Sequence, residues 1–318
     1  MKATQVTLGI DIGGTNTVFG LVDSDGKRYY HNSIPTDTSK EPPKLFSNIC
    51  THVESFLEDS QFKLVGVGIG APNANYYSGK IENPVNLDWG YVNVVDFFKK
   101  YFKVPSFVTN DANAAAIGEM KFGVARDMKN FIEITLGTGL GSGLVVNGEV
   151  VYGHDGFAGE LGHVEVRENG RECGCGQKGC LETYASASGL VRTTLELLAY
   201  YRDKSSLREI QPINLTSKKV YELAIDGDKI AKKAFDITGH YLGKAFANFT
   251  AALSPEAFIL YGGLANAGDI LIDPTKETME EDMMPNFKDK VKILLSGLPS
   301  DEVAVMGTAA LAWHELSK

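Results

Sequence analysis

The chain has 318 residues, more than one hydrophobic core ordinarily serves, so two domains around a cleft are expected. Its 43% hydrophobic and 22% charged residues are the balance of an ordinary folded protein, which excludes a disordered or fibrous chain. A net charge of -9, with no local Lys/Arg cluster to offset it, argues against a nucleic-acid partner, and no leader-like or membrane-spanning apolar run is visible, so a cytoplasmic protein is expected.

In chain order, the first feature is an apolar strand ending in Ile10-Asp11-Ile12, a Gly13-Gly14-Thr15-Asn16 turn and a second strand through Val22. Apolar periodicity predicts a helix over 43–58, strands over 64–70 and 104–109, and a helix over 112–122. The opening pattern then returns as Glu133 to Leu136, Gly137-Thr138-Gly139 and Leu140 to Val146, again strand, Gly/Thr turn, strand. Two related halves follow from this repeat. Within 228–253, Ile230, Ala234, Ile237, Tyr241, Ala245 and Phe249 recur at spacings of three and four, predicting one apolar helix face, and Ser254-Pro255 ends the helix. A strand over 257–261 and a short helix over 307–318, able to pack back on the first domain, complete an α/β chain. The domains read as 1–111 plus 307–318, and 112–306.

Asp11 with Gly13, Gly14, Thr15 and Asn16 puts a carboxylate at a strand end before a turn whose amides and hydroxyl suit phosphate oxygens, and Thr138-Gly139 repeats that chemistry. Neither turn carries a Walker ending or opens a Rossmann helix; the plainer reading is two glycine-rich hairpins. Asn110-Asp111 closes a strand and precedes an alanine-rich helix. It reads as a helix N-cap or as a carboxylate held at the sheet edge where α/β folds bind ligands, and the two roles are compatible. The pattern Cys173-Gly-Cys175-Gly-Gln-Lys-Gly-Cys180, with His163 ten residues before its first cysteine, supplies the three thiolates and imidazole of tetrahedral zinc. A disulfide framework is disfavoured by a reducing compartment and by the odd thiol. Glu160 and Glu182 flank this loop and have the chemistry to accept hydroxyls of a polyol; His154 is taken as structural.

With these motifs in view the chain resembles the ROK family (repressors, open reading frames and kinases), and within it the bacterial glucokinases. The resemblance runs through Asp11 to Asn16, Gly68-Ile69-Gly70-Ala71-Pro72, Asn83 to Trp89, Thr109 to Asn113, Gly137 to Gly143, and the Gly-Glu-Leu-Gly-His and cysteine stretches. It implies an actin-like (ribonuclease H-like) fold and ATP-dependent phosphorylation of a hexose, glucose first, with mannose, N-acetylmannosamine, fructose and allose as alternatives. It further implies Asp111 as general base, sugar contacts at Asn86, Asn110, Glu160, His163 and Glu182, and zinc on His163, Cys173, Cys175 and Cys180. ATP is implied along Gly13 to Thr15, Thr138-Gly139 and Gly262-Gly263, with Mg2+ near Asp11, and the assembly is expected to be a homodimer or homotetramer. The family also contains sugar-responsive repressors. Their DNA-binding helix-turn-helix precedes the first turn, whereas Asp11 here lies in the first strand, so the kinase is the favoured expectation. Two positions depart from the pattern: Asn16 stands where many relatives carry Lys, and Asn73 where they often carry Gly.

Overall fold

The computed structural model describes residues 3–36, 41–58, 61–84, 87–299 and 302–318. Along the chain, β1 (Thr4–Ile12), β2 (Asn16–Val22) and β3 (Arg28–Pro35) precede α1 (Pro42–Glu58) and β4 (Phe62–Gly70). Three short strands follow, β5 (Ala74–Asn75), β6 (Lys80–Glu82) and β7 (Tyr91–Val92), then α2 (Val94–Phe102), β8 (Ser106–Thr109) and α3 (Asp111–Lys121). The second half runs β9 (Phe131–Leu136), β10 (Leu140–Val146), β11 (Glu149–Val150), α4 (Ala187–Tyr200), α5 (Ser217–Ile225), α6 (Lys229–Leu253), β12 (Ala257–Tyr261), α7 (Asp269–Asp282), β13 (Lys292–Leu295) and α8 (Val303–Leu316).

The sequence repeat is a repeat of topology. One sheet has the order β3-β2-β1-β4-β8 and the other β11-β10-β9-β12-β13, so the first, second, third, fourth and fifth strands of each half occupy matching places. In each, the second and third strands pair antiparallel and the first, fourth and fifth run parallel. Parallel strands covered on both faces read as continuous apolar runs. That is why Val6, Leu8 and Ile10 alternate with the buried Thr7 and Gly9, and these apolar residues with Ile12 pack with Val67, Ile69, Phe46, Ile49 and Phe98.

The chain forms two units. The first takes Met1–Met128, Gly143–Gly159 and Ser296–Lys318, and the second Lys129–Ser142 and Glu160–Leu295. These bounds differ from a division at residue 111 because α3 stays with the first unit. Gly118 lets it approach α8 so closely that a Cβ there would lie 2.9 Å from Gly307 Cα. The C-terminal helix starts earlier than its predicted 307 and packs, as expected, on the first sheet. A Cβ at Gly68 would lie 1.8 Å from the Thr308 carbonyl oxygen and one at Gly9 2.3 Å from that of Val305, so glycine on β1 and β4 is a condition of this packing.

Helix ends follow their capping residues. Asp228 Oδ1 accepts the N–H groups of Ile230 and Ala231 to start α6, and Ser254 ends it with φ 47°. The predicted face of α6 is present but is not the whole of its burial: Phe235, Gly239, Leu242, Gly243 and Phe246 are buried too, since α7 covers a second face. Among the described residues no helix is long and apolar enough to cross a membrane.

Candidate active site

In the first unit, the catalytic candidates gather at the C-terminal ends of three neighbouring strands. Asp11 is in register with Gly70, and Gly70 with Thr109, the residue before Asn110-Asp111. Gly70 lets the strands carry this load: a Cβ there would meet Asp11 Oδ1 at 3.3 Å and Thr308 Cγ2 at 2.8 Å. The turn after Asp11 is closed by the Gly13 N–H donating to the Asn16 carbonyl at 3.1 Å, and the Thr15 carbonyl accepts from Thr36 N–H at 2.8 Å. Thr15 and Asn16 are exposed, Gly13 and Gly14 half-buried.

Asn110 and Asp111 divide the roles left open by the sequence. Asn110 Oδ1 accepts the Asn113 N–H at 2.7 Å and caps α3. Asp111 is the first helical residue, its carboxylate exposed, with Oδ1 accepting the adjacent Ala112 N–H at 2.9 Å. Burial, and then the nearby Asp111 charge, push the Asp11 carboxyl up to about 7.

Asn73 has φ 53°, a left-handed conformation that Gly and Asn tolerate best, and its Nδ2 donates to the Asn83 carbonyl at 3.2 Å. The Asn there answers the same backbone demand as the Gly that the resemblance leads one to expect. Asn86 lies outside the described residues.

In the second unit, two turns lie side by side at the ends of parallel strands. Tyr261 of β12 is in register with Thr135 of β9. Gly262, at φ 103°, sits so close on β9 that a Cβ would lie 2.6 Å from the Leu136 carbonyl oxygen, which also accepts Leu264 N–H at 3.1 Å. The Thr138-Gly139 turn is therefore the neighbour of Gly262-Gly263. Beside Gly263 opens a cavity of about 410 Å³ whose walls include Tyr221, Phe235 and Leu264, with Lys218 and Asn266 as polar groups. The sequence did not disclose these residues, which come together from α5, α6 and the loop after β12.

The zinc candidates also come together. Antiparallel bridges Glu165 to Cys180 and Glu172 to Lys178 fold the loop into a knuckle, with Cys173 N–H donating to the Gln177 carbonyl at 2.9 Å. Gly176 and Gly179 take φ of 90° and 78° in it. One donor atom from each of His163, Cys173, Cys175 and Cys180 lies within 4.8 Å of the others. Tetrahedral zinc with bonds of about 2.3 Å to sulfur and about 2.05 Å to nitrogen has edges near 3.8 Å between sulfurs and near 3.6 Å from sulfur to nitrogen. Cys175 and Cys180 sulfurs are 3.7 Å apart, and Cys173 Sγ is 3.6 Å from His163 Nδ1. The donor set fits zinc in chemistry and in span. Burial pushes the Cys180 thiol up to about 12, whereas hydrogen bonding, first from the Gln177 backbone, lowers Cys175.

With Nδ1 facing the cysteines, the other ring nitrogen of His163 points toward Glu160, whose Oε2 is 4.0 Å from Nε2. Glu182 sends Oε2 to the Leu140 N–H at 2.9 Å and has Oε1 3.7 Å from Cys173 Sγ.

The model of the ROK family matches residues 7–315. The chain is 35% identical over 306 residues to the glucokinase of Halalkalibacterium halodurans, covering 94% of this chain and 93% of that one. It superposes with TM-score 0.79 and 29% identity on a ROK family glucokinase from Streptomyces griseus solved with glucose and AMPPNP, covering 97% of this chain and 99% of that one. The xylose repressor of Bacillus subtilis is 26% identical over 321 residues, 99% of this chain but 79% of the repressor. The α/β fold read from the sequence is the actin-like fold of these ROK neighbours. A match over nearly the whole length, joined to the paired phosphate-type turns and the Cys3His cluster, makes the chain a member of the ROK family.

Proposed function

We propose that this protein is an ATP-dependent hexose kinase, glucose being its first substrate, with Asp111 as general base. The observation that carries this reading is the division of labour at the head of α3. Asn110 supplies the cap, so the exposed Asp111 carboxylate is spare for chemistry beside Asp11 at the sheet edge. The similarity to glucokinases over more than nine-tenths of their length supports glucose over other hexoses.

In this mechanism the sugar is held by Asn86, Asn110, Glu160, His163 and Glu182, carboxylates accepting its hydroxyl protons and His163 Nε2 donating. Asp111 takes the proton from the attacking hydroxyl. Toward ATP, the first unit would offer the Gly13 to Thr15 turn, and the second the Thr138-Gly139 turn with, for the base, the cavity beside Gly263 lined by Tyr221 and Phe235. Asp11 would hold Mg2+, whose chemistry is to neutralise charge on the phosphates. His163, Cys173, Cys175 and Cys180 would hold zinc, which would orient the His163 ring.

A coupled ADP-release assay over a sugar panel, comparing kcat/KM, tests the substrate. Asp111→Ala is expected to retain its fold and sugar affinity while turnover falls by about 10²–10⁴-fold. Near wild-type turnover in that variant would remove Asp111 from the mechanism.

A further inference from the structure

Glu182 does more in the second unit than offer an oxygen to a hydroxyl. Its backbone position is set from the zinc loop: it is two residues after Cys180, within a short 3-10 turn where Thr183 N–H donates to the Cys180 carbonyl and Leu181 N–H to that of Val164. One carboxylate oxygen, Oε1, accepts from the Cys173 thiol at 3.7 Å, a bond that the cysteine can make only while protonated and free of metal. The other, Oε2, accepts the Leu140 amide at 2.9 Å, 42 residues earlier in the chain. Leu140 directly follows the Thr138-Gly139 turn, which is itself closed by Gly137 N–H donating to the Gly139 carbonyl.

Gly139 shows how tightly the carboxylate lies on that turn. A Cβ there would be 2.2 Å from Glu182 Oε2, so any side chain at 139 displaces the carboxylate or the turn. The same two segments are also joined by Ala187 N–H donating to the Gly137 carbonyl at 2.9 Å. Glu182 is thus the one side chain in this set of contacts that reaches both the zinc knuckle and the amide at the end of the phosphate-type turn.

We infer that Glu182 is a positioning strut through which occupancy of the Cys3His site sets the geometry of the Gly137–Leu140 turn, and with it affinity for the phosphates of a nucleotide. The inference rests on the reading of that turn as phosphate-binding. With the metal bound, Cys180 is fixed, and with it the 3-10 turn whose Glu182 Oε2 holds the Leu140 amide. Without it, the 3-10 turn loses its Cys180 anchor and the Leu140 amide is held less firmly by its charge-assisted acceptor, an interaction roughly twice as strong as a neutral one.

Hydrogen exchange at the Leu140 amide reads the strut directly. Stripping zinc from the wild-type protein with a chelator is expected to speed that exchange by about tenfold or more and to weaken binding of the ATP analogue AMPPNP by about tenfold, without sugar present. Glu182→Gln keeps an oxygen for the amide and retains both responses, even where its sugar affinity falls. Glu182→Ala, with zinc content confirmed by metal analysis, exchanges fast at Leu140 and binds AMPPNP weakly whether zinc is present or not. Wild-type protection and AMPPNP affinity in zinc-loaded Glu182→Ala would overturn the strut, as would Leu140 exchange indifferent to zinc in the wild type. The latter measurement decides the matter should the alanine variant not fold. Failure of the wild type to bind AMPPNP at all would instead sink the nucleotide reading, leaving the exchange result to judge the strut.

Discussion

Asp11, near the end of β1, is an aspartate with a second aspartate, Asp111, close enough to act on its charge. Asp111 stands exposed on the first turn of α3, while burial and the Asp111 charge raise Asp11 to about 7. For a carboxyl whose folded pKa lies above its unfolded value, the native state holds the proton more tightly. Stability therefore falls as pH rises from about 4 to about 7 and levels off above that. Asp11→Asn, nearly the same shape without the charge, is expected to raise Tm by a few degrees at pH 8 in protein free of divalent cations, and to leave it unchanged at pH 4. Calorimetry at the two pH values checks this, and an equal effect at both would mean Asp11 is not held protonated. The sequence identified both residues but not their proximity. That proximity is created by the β1-β4-β8 order, which juxtaposes strand ends some hundred residues apart in the chain.

The long helix α6 shows which parts of an element sequence alone discloses. Its start at Asp228 and stop at Ser254-Pro255 were readable, because caps and breakers act through local hydrogen bonds and backbone conformation. One apolar face was readable from its three-and-four spacing. The second buried face was not, because its central residues are Gly239 and Gly243, which carry no apolar side chain to register in a periodicity. Glycine there is a packing feature: a Cβ at 239 would lie 2.7 Å from Pro274 Cγ, and one at 243 would lie 2.3 Å from the Thr275 carbonyl oxygen and 2.9 Å from the Met279 nitrogen. Since the obstacle at 243 is α7 backbone, the two helices must part to admit a methyl group. Gly243→Ala gains about 1 kcal/mol of helix propensity but incurs overpacking of about 1–3 kcal/mol. The expected sign is destabilisation, read as a lower urea midpoint with unchanged slope; a stabilised variant would show that α6 and α7 separate without penalty.

Across the whole molecule, two sheets of matching strand order are elaborated differently, and the Cys3His knuckle belongs to the second unit alone. Small zinc domains unfold entirely when stripped, since the metal is most of what holds them. This knuckle has another support immediately beside it. Arg171, only 8% exposed, pairs with Glu196 at 2.6 Å, donates to the Thr183 carbonyl at 2.6 Å and to Thr193 Oγ1 at 2.9 Å, and lies over the Tyr184 ring at 4.4 Å. A buried, multiply bonded guanidinium of this kind costs several kcal/mol to unpair, so it keeps residues 183–196 in place when the metal leaves. Zinc removal is accordingly expected to loosen residues 160–163 and 172–180, together with the Leu140 amide tied to Glu182, while amides of α4 and of β1 and β4 keep their protection. Hydrogen exchange followed by mass spectrometry, before and after chelation, separates the outcomes. Unchanged exchange at 172–180 would show that the knuckle holds without metal, and loss of protection through α4 would show that Arg171 is not the second anchor. The Arg171→Lys variant sharpens the comparison, because lysine retains the charge but not the fork that reaches Thr183, Thr193 and Glu196 together. In that variant the same chelation should extend the loosening into α4.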